Sequence, residues 1–231
     1  MPELAEVEYY RKQWQPAISQ SITAVCLDAS KRVFRGLDPE ALRRGLLGET
    51  FTGSATHGKQ MCFRFGTKHW LGVHLGMTGK THILALSERP QKHDHLVLQM
   101  SSGVSLAFRD PRMFGRILYS YTNDKPSWWA MLPPEILSND FTLEYLSRFL
   151  DRRSRSPIKA VLLMQQTFPG LGNWMADEIL WRSRIHPKIM AGNLSTYKRK
   201  KLYRRIQEAS RDALKVIGSD WSTPPDHWLF N

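Results

Sequence analysis

Cysteine is scarce in this sequence: Cys26 and Cys62 are the only two in 231 residues, and they form no C-x2-C pair. That count offers neither a disulfide framework nor a cysteine-rich zinc site, so both are expected to be small buried residues. Long apolar runs are missing as well. No stretch approaches the ~18 uninterrupted apolar residues that a membrane helix needs, and the amino terminus opens with acids where a secretory signal carries bases and an apolar run. Internal repeats and low-complexity tracts are absent. A soluble intracellular protein with no membrane partner is the expectation. With 42% hydrophobic and 23% charged residues the composition is that of an ordinary globular chain, long enough for one large core or two small ones.

Acids are outnumbered. Lys and Arg total 33 against 21 Asp and Glu, a net charge of +12, and such a surface attracts polyanions, of which nucleic acid is the commonest inside a cell. The excess is not a basic tail: residues 1–125 hold 17 bases and 11 acids, residues 126–231 hold 16 and 10. An even division points to a charged face on each of two structured halves.

The halves differ in pattern. After an opening helix within 3–19, acidic at its start, basic further on and bounded by Pro16, come short β-branched and aromatic runs at 22–27, 61–65, 70–75, 95–100, 104–108 and 116–121. Turn residues at Gly58-Lys59, 66–68 and 101–103 separate some of them, which reads as an antiparallel β-sandwich. Lys125, Pro126, Pro133 and Pro134 punctuate a linker over 126–140, after which apolar spacing turns helical at 142–150, 156–166, 174–183 and 196–217. The expected fold is therefore α+β: a β-sandwich domain with an N-terminal helix over 1–125, then a helical domain over 141–231. Pro157 stands as a first helical residue, and the helix opening at Gly172-Asn173-Trp174 offers backbone N–H groups to a phosphate. The basic run Lys198 to Arg205 reads as a solvated helix face.

Four segments then carry a resemblance. Pro2-Glu3-Leu4-Ala5-Glu6-Val7-Glu8 resembles the P-E-L-P-E-V-E opening of the formamidopyrimidine-DNA glycosylase (Fpg/Nei, MutM-like) family, with Ala5 replacing the second proline. His74-Leu75-Gly76-Met77-Thr78-Gly79 is similar to its H-L-G-M-[ST]-G, and Asp110 to Gly115 to its D-P-R-R-F-G, with Met113 departing from the usual base. Pro169 to Leu180 resembles its helix-two-turn-helix signature. The four follow the family's order over about residues 2 to 187.

What the resemblance implies is concrete. Once Met1 is removed, Pro2 becomes a secondary amine that attacks C1′ of a damaged nucleotide, displaces the base, and leaves an iminium cation that permits strand cleavage by elimination. Glu3 is the acid/base beside it, Glu6 a supporting acid, and Lys59 the hairpin lysine sent to the target phosphates and leaving group. His74, Gly172 and Asn173 contact the DNA backbone. Met77, Arg112 and Phe114 refill the stack after base extrusion, the two apolar side chains by surface and the arginine by hydrogen-bonding the orphaned base. Met77 and Phe114 follow glycine-adjacent turn sequences, so exposure is expected for both. The partner is damaged double-stranded DNA, bound by a monomer in the cytoplasm or at the nucleoid. Leu4 and the Met77/Arg112/Phe114 set favour oxidised purines such as 8-oxoguanine and formamidopyrimidines. The short segment 218–225 favours oxidised pyrimidines. A non-catalytic binder of abasic or distorted DNA is the remaining alternative, and the intact Pro2/Glu3 pair argues against it.

Many relatives end in a C-x2-C, C-x2-C zinc finger that brings an arginine to the phosphates. This chain has no such cysteines, so no metal and no cofactor are expected. Asp226 to Asn231 resembles the lead-in to that finger, where the sequence stops. Its absence bears on duplex binding and base excision more than on lyase chemistry.

Overall fold

The computed structural model describes residues 1–229. They form two compact units, one made of Met1–Pro2 and Val7–Met131, the other of Glu3–Glu6 and the chain from Leu132 onward. The α+β arrangement, sandwich first and helices after, is the one the sequence implies.

The chain enters through α1 (Leu4–Gln13), and a 3-10 turn at Gln15–Ala17 ends it, with Pro16 inside that turn. The first unit then holds β1 (Ile22–Leu27), α2 (Pro39–Leu46), β2 (Phe51–His57), β3 (Gln60–Phe65), β4 (His69–His74), β5 (Lys80–Leu84), β6 (Asp94–Met100), β7 (Ser105–Arg109), β8 (Arg116–Tyr121) and α3 (Ser127–Ala130). Two antiparallel four-stranded sheets result, ordered β1-β6-β7-β5 and β2-β3-β4-β8. Their core holds Trp14, Phe51, Phe63, Phe65 and Phe108, all fully buried, and rings that each remove about 150–250 Å² from water dominate its energetics.

β2, β5, α2 and α3 lie outside the elements that the sequence predicts. β2 contains Gly53 and Ser54, and β5 carries Lys80 and His82, so neither shows a β-rich run. α2 is short, but its signals are sound: Asp38 accepts the Glu40 N–H at 2.9 Å, Pro39 opens the helix, and Leu42 and Leu46 bury one face. The stretch read as linker from 126 is ordered at its start. Trp128 donates to Ser120 at 2.9 Å, and a Cβ on Gly72 would lie 2.9 Å from its ring, so α3 packs on β4 and the unit runs to Met131.

The second unit contains α4 (Leu143–Arg152), α5 (Ile158–Leu162), α6 (Asn173–Ser183) and α7 (Thr196–Asp220). Thr142 caps α4 and Ser195 caps α7. α5 is shorter than the 156–166 expected, and Pro157 is its cap rather than its first residue. Past it, Thr167 and Phe168 both donate to Met164 O, and Leu171 to Phe168 O, giving two turns between helices. Phe141, Phe149, Phe168, Ile179 and Ile206 share the core of this unit. Among the described residues no helix is long and apolar enough to cross a membrane. Phe230 and Asn231, the end of the finger lead-in, lie outside the described residues.

Candidate active site and nucleic-acid interface

The first turn of α6 leaves backbone N–H groups without helical partners, and the Glu3 carboxyl takes them. Oε2 accepts from Gly172 at 2.8 Å and from Met175 at 3.1 Å, while Oε1 accepts from Trp174 at 3.1 Å. Glycine at 172 is required for this approach, since a Cβ there would stand 2.2 Å from Glu3 Oε1. Three donors and the helix dipole favour the carboxylate. Burial opposes them and prevails, helped by the nearby Glu6 charge: the Glu3 pKa is pushed up to about 7. A carboxyl that titrates near neutrality serves as both acid and base.

Glu6 holds this arrangement in place. Its Oε2 accepts the Glu3 N–H at 3.0 Å, closing half a capping box over α1, and its Oε1 accepts the Trp174 indole N–H at 3.0 Å. Both oxygens are engaged, so Glu6 acts through Glu3. Trp174 stacks on Trp228 with the rings 17° from parallel. The sequence reading does not single out either tryptophan, and an indole's need for an acceptor was the only available signal.

One assignment is corrected. The Gly172 N–H, read as a phosphate contact, is spent on Glu3, and Gly172 is buried. Asn173 is exposed beside it.

In the first unit, β2 and β3 pair His57 with Gln60, leaving Gly58-Lys59 as a two-residue turn, and Gly58 supplies the left-handed φ of +59° that the turn demands. His74 ends β4 with Nδ1 accepting the Gly76 N–H at 3.1 Å. Burial, then Lys59 and Arg35, hold its pKa below the usual imidazole range. A neutral ring whose Nδ1 accepts carries its proton on Nε2, where it can donate to a phosphate oxygen.

The residues read as stack-fillers sit on two joined loops. Met77 is 38% and Phe114 45% exposed, values that core side chains do not show. The Arg112 guanidinium lies 4.7 Å from the Phe114 ring centroid. Buried Asp110 ties the loops together, accepting from Gly115 N–H at 2.7 Å, Thr78 Oγ1 at 2.9 Å and Arg112 N–H at 3.3 Å. The loops touch at Gly76, φ +64°, where a Cβ would meet Gly115 N at 2.5 Å. Asp110→Ala is expected to destabilise this unit by about 2–3 kcal/mol by stranding those donors, read by urea denaturation. A loss below the precision of that measurement would remove Asp110 as the tie.

A β-sandwich unit, a second unit with two turns between its helices, and a buried carboxyl following a second-position proline are the features that the resemblance to a helix-two-turn-helix class of DNA-repair proteins implies. Residues 1–117 match the formamidopyrimidine-DNA glycosylase N-terminal domain and residues 132–224 the formamidopyrimidine-DNA glycosylase H2TH domain. The chain belongs to the formamidopyrimidine-DNA glycosylase family. It is 36% identical over 222 residues to the formamidopyrimidine-DNA glycosylase of Lactobacillus delbrueckii subsp. bulgaricus, covering 95% of this chain and 80% of the relative. Against that of Legionella pneumophila it is 35% identical over 223 residues, covering 95% and 79%. It is similar in structure to the Lactococcus lactis enzyme solved in complex with abasic-site DNA, with a TM-score of 0.85 and 30% identity over 95% of this chain and 84% of that one.

Both cysteines lie in the sandwich unit: Cys26, expected to be buried, is exposed on β1, whereas Cys62 is buried on β3 as expected, where burial pushes its thiol up to about 12. A thiol so held is not a thiolate ligand. Among the described residues no group of three His, Cys, Asp or Glu side chains is placed to hold an ion.

Proposed function

We propose that this chain is a DNA glycosylase and AP lyase that removes oxidised purines from duplex DNA. The carrying observation is the Glu3 carboxyl, buried, cradled by the start of α6 and titrating near neutrality, immediately after Pro2. With Met1 removed, the Pro2 nitrogen bonds to C1′ as the bond from C1′ to the base breaks and the base leaves with a proton; the nitrogen then gives up its own proton, and its lone pair breaks the C1′–O4′ bond as Glu3 protonates O4′. The resulting iminium withdraws electrons from C2′, whose proton is lost as the C3′–O3′ bond breaks and the phosphate leaves. Hydrolysis of the iminium then frees the amine. The amine and the carboxyl suffice for these steps, so the reading asks for no resident cofactor. Genomic DNA as substrate sets its place of work at the nucleoid.

The flipped base has a candidate receptor in the second unit. Glu6, Ile217, Trp221, Ser222, Thr223 and Pro224 line a cavity of about 210 Å³. Trp221 ends α7 in the left-handed region at φ +59°, and its indole is half exposed. Stacking of a base on an indole is worth about 1–3 kcal/mol. Trp221→Ala is therefore expected to slow base excision about tenfold while leaving borohydride trapping on a preformed abasic site within about threefold. Equal losses in both assays would remove Trp221 from base recognition. Trapping on 8-oxoguanine, formamidopyrimidine and oxidised-pyrimidine duplexes tests the substrate class. A preference for the last would overturn the purine reading.

A further inference from the structure

Gln165 lies between α5 and α6, and its carboxamide makes three hydrogen bonds. Nε2 donates to Leu163 O at 3.0 Å and to Leu171 O at 2.7 Å, and Oε1 accepts the Gly170 N–H at 3.1 Å. The backbone so tied is the backbone that grips the start of α1. Gly170 O accepts the Leu4 N–H at 3.0 Å, and Gly172, one residue past Leu171, donates to Glu3 at 2.8 Å. Gly170 takes φ +92°, outside any helical or extended ladder. The turn therefore depends on a side chain for partners that regular structure supplies elsewhere.

We infer that Gln165 is the positioning residue for Glu3, fixing the 170–172 backbone so that the carboxyl meets its amide cradle in one geometry. This inference rests on the reading of Glu3 as the acid/base of excision. The donor pattern is specific to a carboxamide: two N–H groups face two carbonyls, and one oxygen faces an N–H. A carboxylate there sets negative charge against the Leu163 and Leu171 carbonyls. A methionine fills the space and strands three backbone groups.

The experiment uses Gln165→Met, Gln165→Glu, Glu3→Gln and the Glu3→Gln/Gln165→Met pair, each checked for a cooperative melt. Gln165→Met is expected to slow single-turnover excision of 8-oxoguanine at least about tenfold, while affinity for a duplex carrying a reduced abasic analogue stays within about threefold. The double variant is expected to be no slower than Glu3→Gln alone, because both changes disable one device. For Gln165→Glu, excision near pH 7.4 is expected to be at least as slow as in Gln165→Met, since an ionised carboxylate donates neither hydrogen bond and sets charge against two carbonyls. Carboxyl NMR of the free protein gives a readout independent of activity: in Gln165→Met the Glu3 midpoint rises as the amide donors withdraw. A wild-type excision rate in Gln165→Met, an affinity loss as large as the rate loss, or multiplicative losses in the double variant would each overturn the inference. If the wild type excises no base at all, the proposed function fails, and the Glu3 midpoint decides alone; an unchanged midpoint then overturns the positioning role.

Discussion

Glu3→Gln is expected to reduce single-turnover base excision about 10³-fold, within the range that a positioned acid/base supplies. The amide keeps the shape of the carboxyl and accepts from Gly172 and Met175, but it has no proton to give at neutral pH. Stability is expected to move the other way with pH. The Glu3 pKa stands at about 7 in the folded protein against 4.5 ordinarily. Between those values the folded chain holds a proton that the unfolded chain has released, so stability falls as pH rises from about 4.5 to 7 and is level beyond, a loss of about 3 kcal/mol. Glutamine does not titrate. The variant facing its one mismatched donor, the Trp174 N–H, bears a cost that is constant with pH, so its melting temperature should gain on wild type across that window. Parallel stability curves for the two proteins would show that Glu3 is not held protonated by burial.

The same value shapes the rate. The productive enzyme needs Glu3 protonated and the Pro2 amine neutral, and an α-amine titrates at about 7.7 to 8.0, above Glu3. The reactive pair is thus the less abundant proton arrangement, roughly a tenth of the enzyme near pH 7.4. Excision should follow a bell with that maximum, and Glu3→Gln should lose its alkaline limb while keeping the acid one.

The sequence disclosed the residues better than their connections. Strands at 22–27 and 116–121 were legible because β-branched and aromatic side chains there face a core, whereas β2 and β5 are built from Gly, Ser, Lys and His and owe their pairing to neighbouring strands. Pro2, Glu3 and Glu6 stood out by their place in a motif. That Glu3 occupies the amides of Gly172, Trp174 and Met175 could not be read, because about 170 residues separate the partners and a helix start advertises free N–H groups whoever fills them. The phosphate role given to Gly172 failed for this reason. Asp110 and Gln165 are recognisable only once their backbone partners are known, since an Asp before proline and a Gln in a turn are otherwise ordinary. The exposure of Met77 and Phe114 was legible from local chemistry, because flanking Gly76, Gly79 and Gly115 mark tight turns where apolar side chains have no core to enter.

Pro2→Gly is expected to lower borohydride trapping on an abasic-site duplex by on the order of 10²-fold, the scale of loss that follows misplacement of a reacting group. Glycine also ends in an amine, so the expected difference lies in two properties of proline. Its adduct with C1′ is an iminium that carries positive charge at every pH, whereas a primary amine gives an imine that must be protonated to withdraw electrons from C2′. Its ring also leaves the nitrogen few directions to sample, ahead of a Glu3 whose N–H is held by Glu6 and a Leu4 whose N–H is held by Gly170. Met1 is 58% exposed, open to the aminopeptidase that must free this nitrogen. A chain that keeps Met1 has an amide where the nucleophile belongs, and it should bind the duplex without trapping. Mass spectrometry establishes which form is in hand. If protein with a verified free Pro2 amine binds the abasic duplex and is never trapped, the covalent mechanism is wrong and a binder of damaged DNA is left. If the Met1-retaining form traps as well as the mature one, the nucleophile is another amine, the Met1 α-amine or a lysine; blocking the amino terminus separates the two, and Lys59 at its hairpin tip is the first lysine to replace.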